Sequence, residues 1–399
     1  MLTMLWLNLS WLMVLSVGNA ELLVTLVNRL HALPVHEKYL KEIRHVHDLL
    51  IPLFPSWVFV VIGFFSPGVF LHPISPGDVW EGLPVAVQFY FGICFAGFAG
   101  FVFSCARHLL HRPPRQQTDF SSRIVDVEKA LGRPPVGEGP FQFMTKIPGN
   151  ECFTVEFNER ELTLDRLPKE WDGLRILHLT DLHFIGTVDL PFFEHVFEEA
   201  AKLDYDMICF TGDLLDGNEF SEWIPSTIGR LEAPLGKFFI LGNHDWYLDT
   251  TPIRDKMTAS GWLDMAGRVQ ILDRMGPPIA IGGDERPWMG RHPNFDASPR
   301  ELFRLLLSHT PDNFSWARRA GVDLMLTGHN HGGQVVLPVV GPVFSPSIHG
   351  VRYAGGLFYS SPTLLYVSRG VGGRHPLRIN ARPEISIVTL KSARKTGTS

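Results

Sequence analysis

The chain carries five short motifs whose side chains are typical metal ligands, and each motif follows an apolar run that is typical of a β-strand. Because one aspartate of such a set can bridge two ions that activate water, this mixture of carboxylates, an amide and imidazoles predicts a two-metal hydrolysis site. No thiolate is present, so the set favours Mn²⁺, Fe²⁺ or Zn²⁺. The motifs contribute seven nitrogen or oxygen donors: Asp181, His183, Asp213, Asn243, His309, His329 and His331.

The apolar runs predict the elements that must position these donors. Ligands at the carboxyl ends of strands converge at one edge of an α/β sheet, where such folds bind their ligands. A helical stretch, Pro191–Lys202, lies between the first two runs, and this alternation is typical of an α/β fold. The runs are Leu174–Thr180, Met207–Thr211, Lys237–Leu241, Leu302–Leu307 and Asp323–Thr327.

The sequence becomes rich in strands after His331, where Gln334–Val340, Leu364–Arg369 and Ile385–Leu390 are separated by glycine and proline. This change predicts two sheets that face each other with helices outside. We therefore expect a four-layer α/β/β/α sandwich over residues 150–392. At its start, Phe153–Phe157 alternates, and we expect Leu162–Leu164 to pair with it.

The first 110 residues are expected to form a membrane region with two or three transmembrane helices, which accounts for the hydrophobic content of 45%. Leu49–Leu71 and Val85–Ala106 carry no charge and exceed the length of about 20 apolar residues that crosses a bilayer. Leu2–Val27 contains polar residues and can be a span, a signal sequence or an interfacial helix. No basic region precedes it, which argues against a cleavable signal.

Lysine and arginine predict the orientation of this region. The loop after the first segment and the sequence after the third are both basic, whereas the loop His72–Pro84 carries only acidic charges. Basic flanks tend to remain in the cytoplasm. We therefore expect a multi-pass membrane protein with a cytoplasmic catalytic domain.

Residues 111–149 hold proline pairs and a glycine–proline cluster, which predict an irregular linker with a short helix near Ile124–Leu131. Residues 393–399 are expected to form a tail. The net charge of -5 gives no indication of a nucleic-acid surface. The sequence leaves the oligomeric state open.

The motif order resembles that of the calcineurin-like metallophosphoesterase superfamily, from about Phe153 to Leu390. Further segments are similar to its bacterial membrane-associated phosphodiesterase branch. One departure is Asn330, where threonine is frequent in the family. The motifs that carry the resemblance are Asp181-x-His183, Gly212-Asp213, Gly242-Asn243-His244-Asp245, His309 and Gly328-His329-x-His331, and the further segments are Trp171–Ile176, His329–Gln334 and Tyr366–Gly370.

The resemblance implies a bacterial inner-membrane phosphoesterase that uses a metal-bridging hydroxide on a phosphodiester or pyrophosphate. A substrate near the bilayer is expected to be lipid-linked, such as a UDP-sugar lipid. Some members of the branch act outside the membrane, so an external catalytic domain is the alternative orientation. A membrane-anchored metal-binding scaffold or sensor without turnover is the alternative function. The implied ligand sets are Asp181, His183, Asp213 and His331 for one metal, and Asp213, Asn243, His309 and His329 for the other, with Asp213 bridging.

His244 is the expected general acid because it follows Asn243 and has a pKa suited to proton transfer. Asp245 has two interpretations, since it can orient His244 or cap the turn that follows. An arginine near the metals can hold a second phosphate. On the sequence alone, however, we expect Asp216, Arg369 and Arg374 to be structural. The segment Trp246–Arg304 is expected to form a rim over the pocket and to select the substrate.

Overall fold

The structure is a computed structural model that describes residues 2–66, 69, 76–297 and 299–393. Its chain divides into two compact units, the first covering residues 1–111 with 338–341 and the second covering residues 112–337 with 342–399. Parts of the expected span Leu49–Leu71 and of the loop His72–Pro84 lie outside the described residues, as do residues 394–399 of the expected tail.

The first unit is helical. Two of its helices approach each other very closely at Gly18 and Cys94. A Cβ added to Gly18 would lie only 1.8 Å from the carbonyl oxygen of Cys94, so a larger residue would clash there. Small residues allow such contacts between membrane helices. The unit contains α1 (Leu2–His31), α2 (Glu37–Phe65), α3 (Pro76–Gly82) and α4 (Val85–Leu110). Within the part of the chain that the structure describes, three stretches are long and apolar enough to cross a membrane, namely Trp6–His31, Lys38–Phe65 and Val85–Leu110.

The second unit is built on two sheets. The first has the strand order β1-β2-β15-β3-β4-β5-β6, with β1 (Gln117–Asp126), β2 (Thr154–Leu164), β3 (Arg175–Leu179), β4 (Met207–Thr211), β5 (Lys237–Ile240), β6 (Trp262–Asp264) and β15 (Glu384–Ser392). The second has the order β13-β14-β10-β9-β8-β7, with β7 (Val269–Leu272), β8 (Ile279–Asp284), β9 (Phe303–Ser308), β10 (Leu324–Thr327), β13 (Gly356–Ser360) and β14 (Thr363–Val367). The short strands β11 (Val336–Leu337) and β12 (Gly341–Pro342) lie outside both sheets.

Helices connect and cover these strands. The α-helices are α5 (Val127–Leu131), α6 (Leu190–Ala201), α7 (Asn243–Trp246), α8 (Thr250–Ala259) and α9 (Phe314–Arg319). Short 3₁₀ helices lie at Gln142–Lys146, Lys169–Trp171, Asn218–Trp223, Ile228–Arg230, Phe295–Ala297, Pro311–Asn313, His331–Gly333 and Gly350–Tyr353.

Three apolar layers hold the second unit together. Cys209 and Leu305, from different sheets, are fully buried in the layer between the sheets. The outer face of the first sheet packs on α6 through Phe193, and the outer face of the second packs on α9 through Phe314. Burial of both strand faces explains why the sequence shows continuous apolar runs rather than alternation. The predicted α/β/β/α sandwich is therefore confirmed.

Residues 111–149 do not form the irregular linker that their prolines predicted. Residues 117–126 instead form β1, which pairs antiparallel with β2 at the edge of the first sheet. Nearly every side chain of β1 is exposed, from Thr118 to Ile124. An edge strand of this kind has no apolar alternation to reveal it.

The pairing expected between Phe153–Phe157 and Leu162–Leu164 is also wrong. From Thr154 onward both segments belong to the continuous strand β2, which pairs with β1 on one side and with β15 on the other. The polar residues between the two segments resemble a turn in the sequence. In the structure they lie within a long strand, with Asn158 buried, Glu159 exposed, and Arg160 and Glu161 partly buried.

Candidate metal centre

The five motifs follow strands whose carboxyl ends meet at one edge of the two sheets. β3, β4 and β5 run parallel in the first sheet, and β9 and β10 run parallel in the second. Parallel strands present their carboxyl ends on the same side, so the turns that follow them lie together. Asp181 and His183 follow β3, Asp213 follows β4, Asn243 begins α7 after β5, His309 follows β9, and His329 and His331 follow β10.

Backbone strain is concentrated in these turns. A left-handed conformation costs a non-glycine residue on the order of 1–3 kcal/mol, and such strain clusters at functional sites. Gly328 allows its turn to approach the turn that carries Asp181. A Cβ at this position would lie 2.0 Å from Oδ2 of Asp181, so a larger residue would clash. Five of the predicted donors have positive φ: Asp181 (54°), His183 (49°), Asp213 (58°), His329 (72°) and His331 (49°).

Asp181, His183 and His331 form the first group of donors, with one ligand atom each within 4.8 Å of the others. Nε2 of His183 lies 3.9 Å from Oδ1 of Asp181 and 3.4 Å from Oδ2 of Asp213. Nε2 of His331 lies 3.7 Å from Oδ1 of Asp181.

Asp213, His309 and His329 form a second group on the same criterion. Nε2 of His309 lies 3.2 Å from Oδ2 of Asp213, 3.1 Å from Oδ1 of Asn243 and 3.1 Å from Nδ1 of His329. Oδ2 of Asp213 therefore lies close to a histidine of each group. The structure brings all seven predicted donors together.

Three of the four histidine donors have the hydrogen bonds expected of metal ligands, whereas Nδ1 of His331 lies 3.1 Å from Nη2 of Arg378, a group that can only donate. A ligating imidazole usually donates its outer N–H to a carboxylate or carbonyl, which fixes the ring. On the side that faces away from the other donors, Nδ1 of His183 lies 2.8 Å from Oδ2 of Asp216. In the same way, Nδ1 of His309 lies 2.7 Å from the carbonyl oxygen of Thr211. The outer Nε2 of His329 lies 2.8 Å from the Pro346 carbonyl.

The inner nitrogen of His183 supports the same conclusion. This Nε2 atom is buried and has no hydrogen-bond partner within the described part of the chain. An unsatisfied buried polar group costs about 1–3 kcal/mol, so the position calls for a ligand. A borderline divalent cation fits imidazole, carboxylate and amide donors of this kind.

The charges of the site also favour a bound cation. Asp181 and Asp213 are both buried, and burial raises the pKa of Asp181. Burial likewise opposes ionisation of Asp213, but His309 and His244 hold its pKa well below the usual range. Burial disfavours charge on His309, yet Asp213 raises its pKa to about 9. Buried carboxylates require positive charge nearby, which protonated histidine or a metal ion can supply.

His244 lies beside the first group and is held by Asp216. Oδ1 of Asp216 is 2.6 Å from Nδ1 of His244, and the rings of His244 and His183 are 4.6 Å apart. Burial opposes protonation of His244, but the carboxylates of Asp216 and Asp213 raise its pKa to about 9. The ring can therefore carry a proton at neutral pH.

Asp245 does not orient His244. Its carboxylate accepts hydrogen bonds from the backbone N–H groups of Leu214, Leu215 and Gly242 at 3.1, 3.0 and 2.9 Å. These bonds cap the turn and tie the second motif to the third. The orienting interpretation is wrong, because Asp216 occupies Nδ1 of His244.

Asp216 is a residue of the candidate site that sequence reasoning missed. We expected it to be structural, yet its two carboxylate oxygens contact His183 and His244 separately. The available signal was its position three residues after Asp213, in the same turn.

The predicted rim segment Trp246–Arg304 contributes Trp288 to the site. Its ring centroid lies 5.6 Å from that of His309 and 5.0 Å from that of His329. Trp288 is 7% exposed, so it helps to shield both imidazoles from solvent.

Comparison with known proteins agrees with this geometry. The model of the calcineurin-like phosphoesterase family matches residues 174–333, which include all seven predicted donors. The uncharacterized metallophosphoesterase YkuE of Bacillus subtilis (strain 168) is 33% identical over 252 residues, which cover 61% of this chain and 87% of that protein. The chain belongs to the calcineurin-like phosphoesterase family.

Two further relatives carry named activities. The phosphodiesterase YaeI of Escherichia coli (strain K12) is 30% identical over 221 residues, covering 54% of this chain and 82% of that protein. The UDP-2,3-diacylglucosamine pyrophosphatase LpxG of Chlamydia muridarum (strain MoPn / Nigg) is 27% identical over 288 residues, covering 56% of this chain and 86% of that protein. The predicted family is confirmed, and the chain is a metal-dependent phosphoester hydrolase. The scaffold without turnover is not supported.

Proposed function

We propose that this calcineurin-like phosphoesterase is dinuclear and hydrolyses a phosphodiester or pyrophosphate beside a bacterial inner membrane. One observation carries the proposal. Oδ2 of Asp213 lies 3.4 Å from the inner nitrogen of His183 and 3.2 Å from that of His309. A single carboxylate oxygen is therefore shared by two groups of donors, as a bridging ligand must be.

The donors divide between two cations around Asp213. When bound, two such cations lower the pKa of water toward neutrality and offset the charge of the phosphoryl oxygens. The nitrogen and oxygen donors favour Mn²⁺, with Fe²⁺ and Zn²⁺ as the alternatives. Asp181, His183, Asp213 and His331 would hold one cation, and Asp213, Asn243, His309 and His329 the other.

His244 is the group that supplies a proton to the leaving oxygen. Asp216 holds its Nδ1 atom at 2.6 Å, so Nε2 is the atom that exchanges the proton with substrate. Burial lowers the pKa of His244, but Asp216 and Asp213 raise it to about 9, which favours a protonated donor. Trp288 excludes water from the faces of His309 and His329.

The membrane region supports a substrate in or near the bilayer. Three helices of spanning length would keep the catalytic unit at the membrane, where lipid-linked esters are concentrated. The similarity to a UDP-2,3-diacylglucosamine pyrophosphatase supports a UDP-sugar lipid as one such substrate. The basic flanks of the helices favour a cytoplasmic catalytic unit, and an external unit is the alternative.

The enzymatic proposal is tested with the full chain purified in detergent. Hydrolysis of bis-p-nitrophenyl phosphate is measured with Mn²⁺, Fe²⁺ or Zn²⁺ for the wild type and for Asp213→Asn. We expect metal-dependent turnover by the wild type and its loss in the variant. The control is Asp255→Asn, the same change at an exposed position of α8. Equal turnover by the wild type and Asp213→Asn would contradict the proposal.

A further inference from the structure

The ring of His329 is held on two sides within the candidate metal centre. Its Nδ1 atom lies 3.1 Å from Nε2 of His309, on the side of the second group of donors. Its Nε2 atom lies 2.8 Å from the carbonyl oxygen of Pro346. A ligating imidazole needs such an outer acceptor, because the acceptor fixes the orientation of the ring and the position of its proton. The orientation of His329 therefore depends on where the Pro346 carbonyl is held.

The Pro346 carbonyl lies in the irregular loop between β12 and the 3₁₀ helix Gly350–Tyr353. Two residues of this loop donate hydrogen bonds to the same carboxylate. The hydroxyl of Ser347, which is fully buried, donates to Oδ1 of Asp312. The backbone N–H of Ile348 donates to Oδ2 of Asp312 at 3.0 Å. Asp312 therefore fixes the loop at the two residues that directly follow Pro346.

Asp312 is also connected to the other histidine of the second group. It lies three residues after His309, in the 3₁₀ helix Pro311–Asn313 that follows β9. The backbone N–H of Asp312 donates to the hydroxyl oxygen of Thr310 at 3.2 Å, which caps this short helix. The segment that carries His309 thus carries the carboxylate that holds the loop beside His329. This connection can set the distance between the two ligand rings.

The carboxylate of Asp312 is held without a compensating cation. Within the described residues, its partners are neutral donors, and burial raises its pKa to about 6 although Ser347 and Ile348 oppose the shift. Burial of a carboxylate that has no cation beside it is costly, and carboxyl groups with shifted pKa values cluster at functional sites. This cost favours a role in the site over a role in packing alone.

We propose that Asp312 positions His329 for the second ion, and that it acts through Ser347 and the carbonyl of Pro346. The inference rests on the proposed dinuclear centre. Asp312 reaches the ion only through other residues, so it is a positioning residue and not a catalytic one. Without its carboxylate the loop loses two hydrogen bonds, and the ring of His329 loses its fixed acceptor. The second ion should then bind more weakly. The first ion should be unaffected, because His183 has a different outer partner.

The test measures the affinity of each ion separately. The full chain is purified in detergent, freed of metal with a chelator and titrated with Mn²⁺ in a calorimeter. Electron paramagnetic resonance of the same samples distinguishes a single bound Mn²⁺ from a coupled pair. Asn243→Ala identifies the binding event of the second ion, because Asn243 is assigned to that ion alone. We expect Asp312→Ala to weaken the same event by about 10- to 100-fold and to leave the other event unchanged.

Two milder variants and one control accompany Asp312→Ala. Asp312→Asn keeps one acceptor oxygen, and Ser347→Ala removes only one of the two bonds to the loop. Both should weaken the second event less than Asp312→Ala does. The control is Asp255→Ala, the same change at an exposed position of α8, which should leave both events unchanged. A carboxylate with a purely structural role would lower the thermal unfolding midpoint without a selective effect on one ion.

The outcomes separate this inference from the function on which it depends. If the wild type binds two ions, an unchanged second event in Asp312→Ala, or equal weakening of both events, would overturn the positioning role and leave the dinuclear centre intact. A wild type that binds fewer than two ions would overturn both. The unfolding midpoint of the metal-free chain shows whether Asp312→Ala is folded. If it is not, Asp312→Asn and Ser347→Ala decide, and wild-type affinity for the second ion in both again overturns the role.

Discussion

At the scale of single residues, Asp216 connects the predicted metal ligand His183 to the proposed proton donor His244. Each of its carboxylate oxygens contacts a different imidazole, one on His183 and one on His244. Substitution of a residue that hydrogen-bonds to a metal ligand typically lowers metal affinity or activity by about 10- to 100-fold. Asp216 should therefore affect catalysis without contacting substrate.

The substitution Asp216→Asn tests this position through the pH dependence of kcat. Burial lowers the pKa of His244, and Asp216 is the main group that raises it to about 9. A general acid loses activity as pH rises through its pKa. Removal of the Asp216 charge should therefore move the alkaline limb of the profile to lower pH and reduce kcat by about 10- to 100-fold. An unchanged alkaline limb would show that Asp216 does not set the protonation of the donor.

His244→Asn separates a proton donor from a metal ligand, because His244 also lies within 4.8 Å of donor atoms of His183 and Asp213. We expect kcat for bis-p-nitrophenyl phosphate to fall by about 10²- to 10⁴-fold while the metal content stays that of the wild type. Elemental analysis of the same preparation is the measurement that decides. Parallel loss of metal and activity would make His244 a ligand and not the acid.

The sequence predicts the donors better than it predicts their partners. Asp181 and His183 are recognisable because each motif ends an apolar strand. The roles of Asp216 and Asp245 depend on which carboxylate turns toward His244. That direction is set by left-handed turn residues, including φ of 58° at Asp213, which the sequence does not reveal.

At the scale of elements, strands with two buried faces were predictable and the exposed edge strand was not. β3 and β4 consist mostly of apolar residues because both of their faces pack in a core. β1 lies at the edge with most of its side chains in solvent, so its ten residues resemble a linker. Only its pairing with β2, a long-range contact, defines it as a strand.

Glu384 on β15 joins three strands through a buried ion pair. Its carboxylate accepts from the Arg369 guanidinium at 2.6 Å, from Asn158 on β2 at 3.0 Å and from the Tyr366 hydroxyl on β14 at 3.0 Å. Burial disfavours its charge, but Arg369 and Arg160 lower its pKa to about 2. Removal of one partner leaves a buried charge unpaired, which costs about 3–5 kcal/mol.

Glu384→Gln should therefore lower the thermal unfolding midpoint at neutral pH. Because the folded pKa is depressed, the stability from Glu384 is present above its ordinary pKa, near 4.5, and is lost as pH falls toward about 2. The wild type should lose stability across that interval, and the variant should lose less. The control is Glu198→Gln, whose side chain is 52% exposed in a surface ion pair. Equal effects of the two substitutions would contradict the role of Glu384.

At the scale of the whole molecule, we expect the helices of spanning length to keep the enzyme at a membrane, where the proposed substrate lies. Two of the stretches were visible in the sequence as the uncharged runs Leu49–Leu71 and Val85–Ala106, because a bilayer demands about 20 apolar residues. The first stretch was less certain from the sequence, because Leu2–Val27 contains polar residues and Glu21. We predict their orientation from the basic flanks, since such flanks are cytoplasmic in most membrane proteins.

Reporter fusions test this orientation. A reporter that is active only in the periplasm should be inactive when fused to the carboxyl terminus and active when fused after Leu83, between α2 and α4. A reporter that fluoresces only in the cytoplasm should give the opposite pattern. Periplasmic activity of the carboxyl-terminal fusion would establish the external catalytic unit instead.

The metal content of the active enzyme tests the central claim most directly. The full chain is purified, loaded with Mn²⁺, and analysed for bound metal and for phosphodiester hydrolysis in the same fractions, beside Asp213→Asn. The shared position of Asp213 between His183 and His309 predicts two divalent ions per active chain, and fewer ions without turnover in the variant. Full activity in fractions that hold one ion or none would contradict a dinuclear centre.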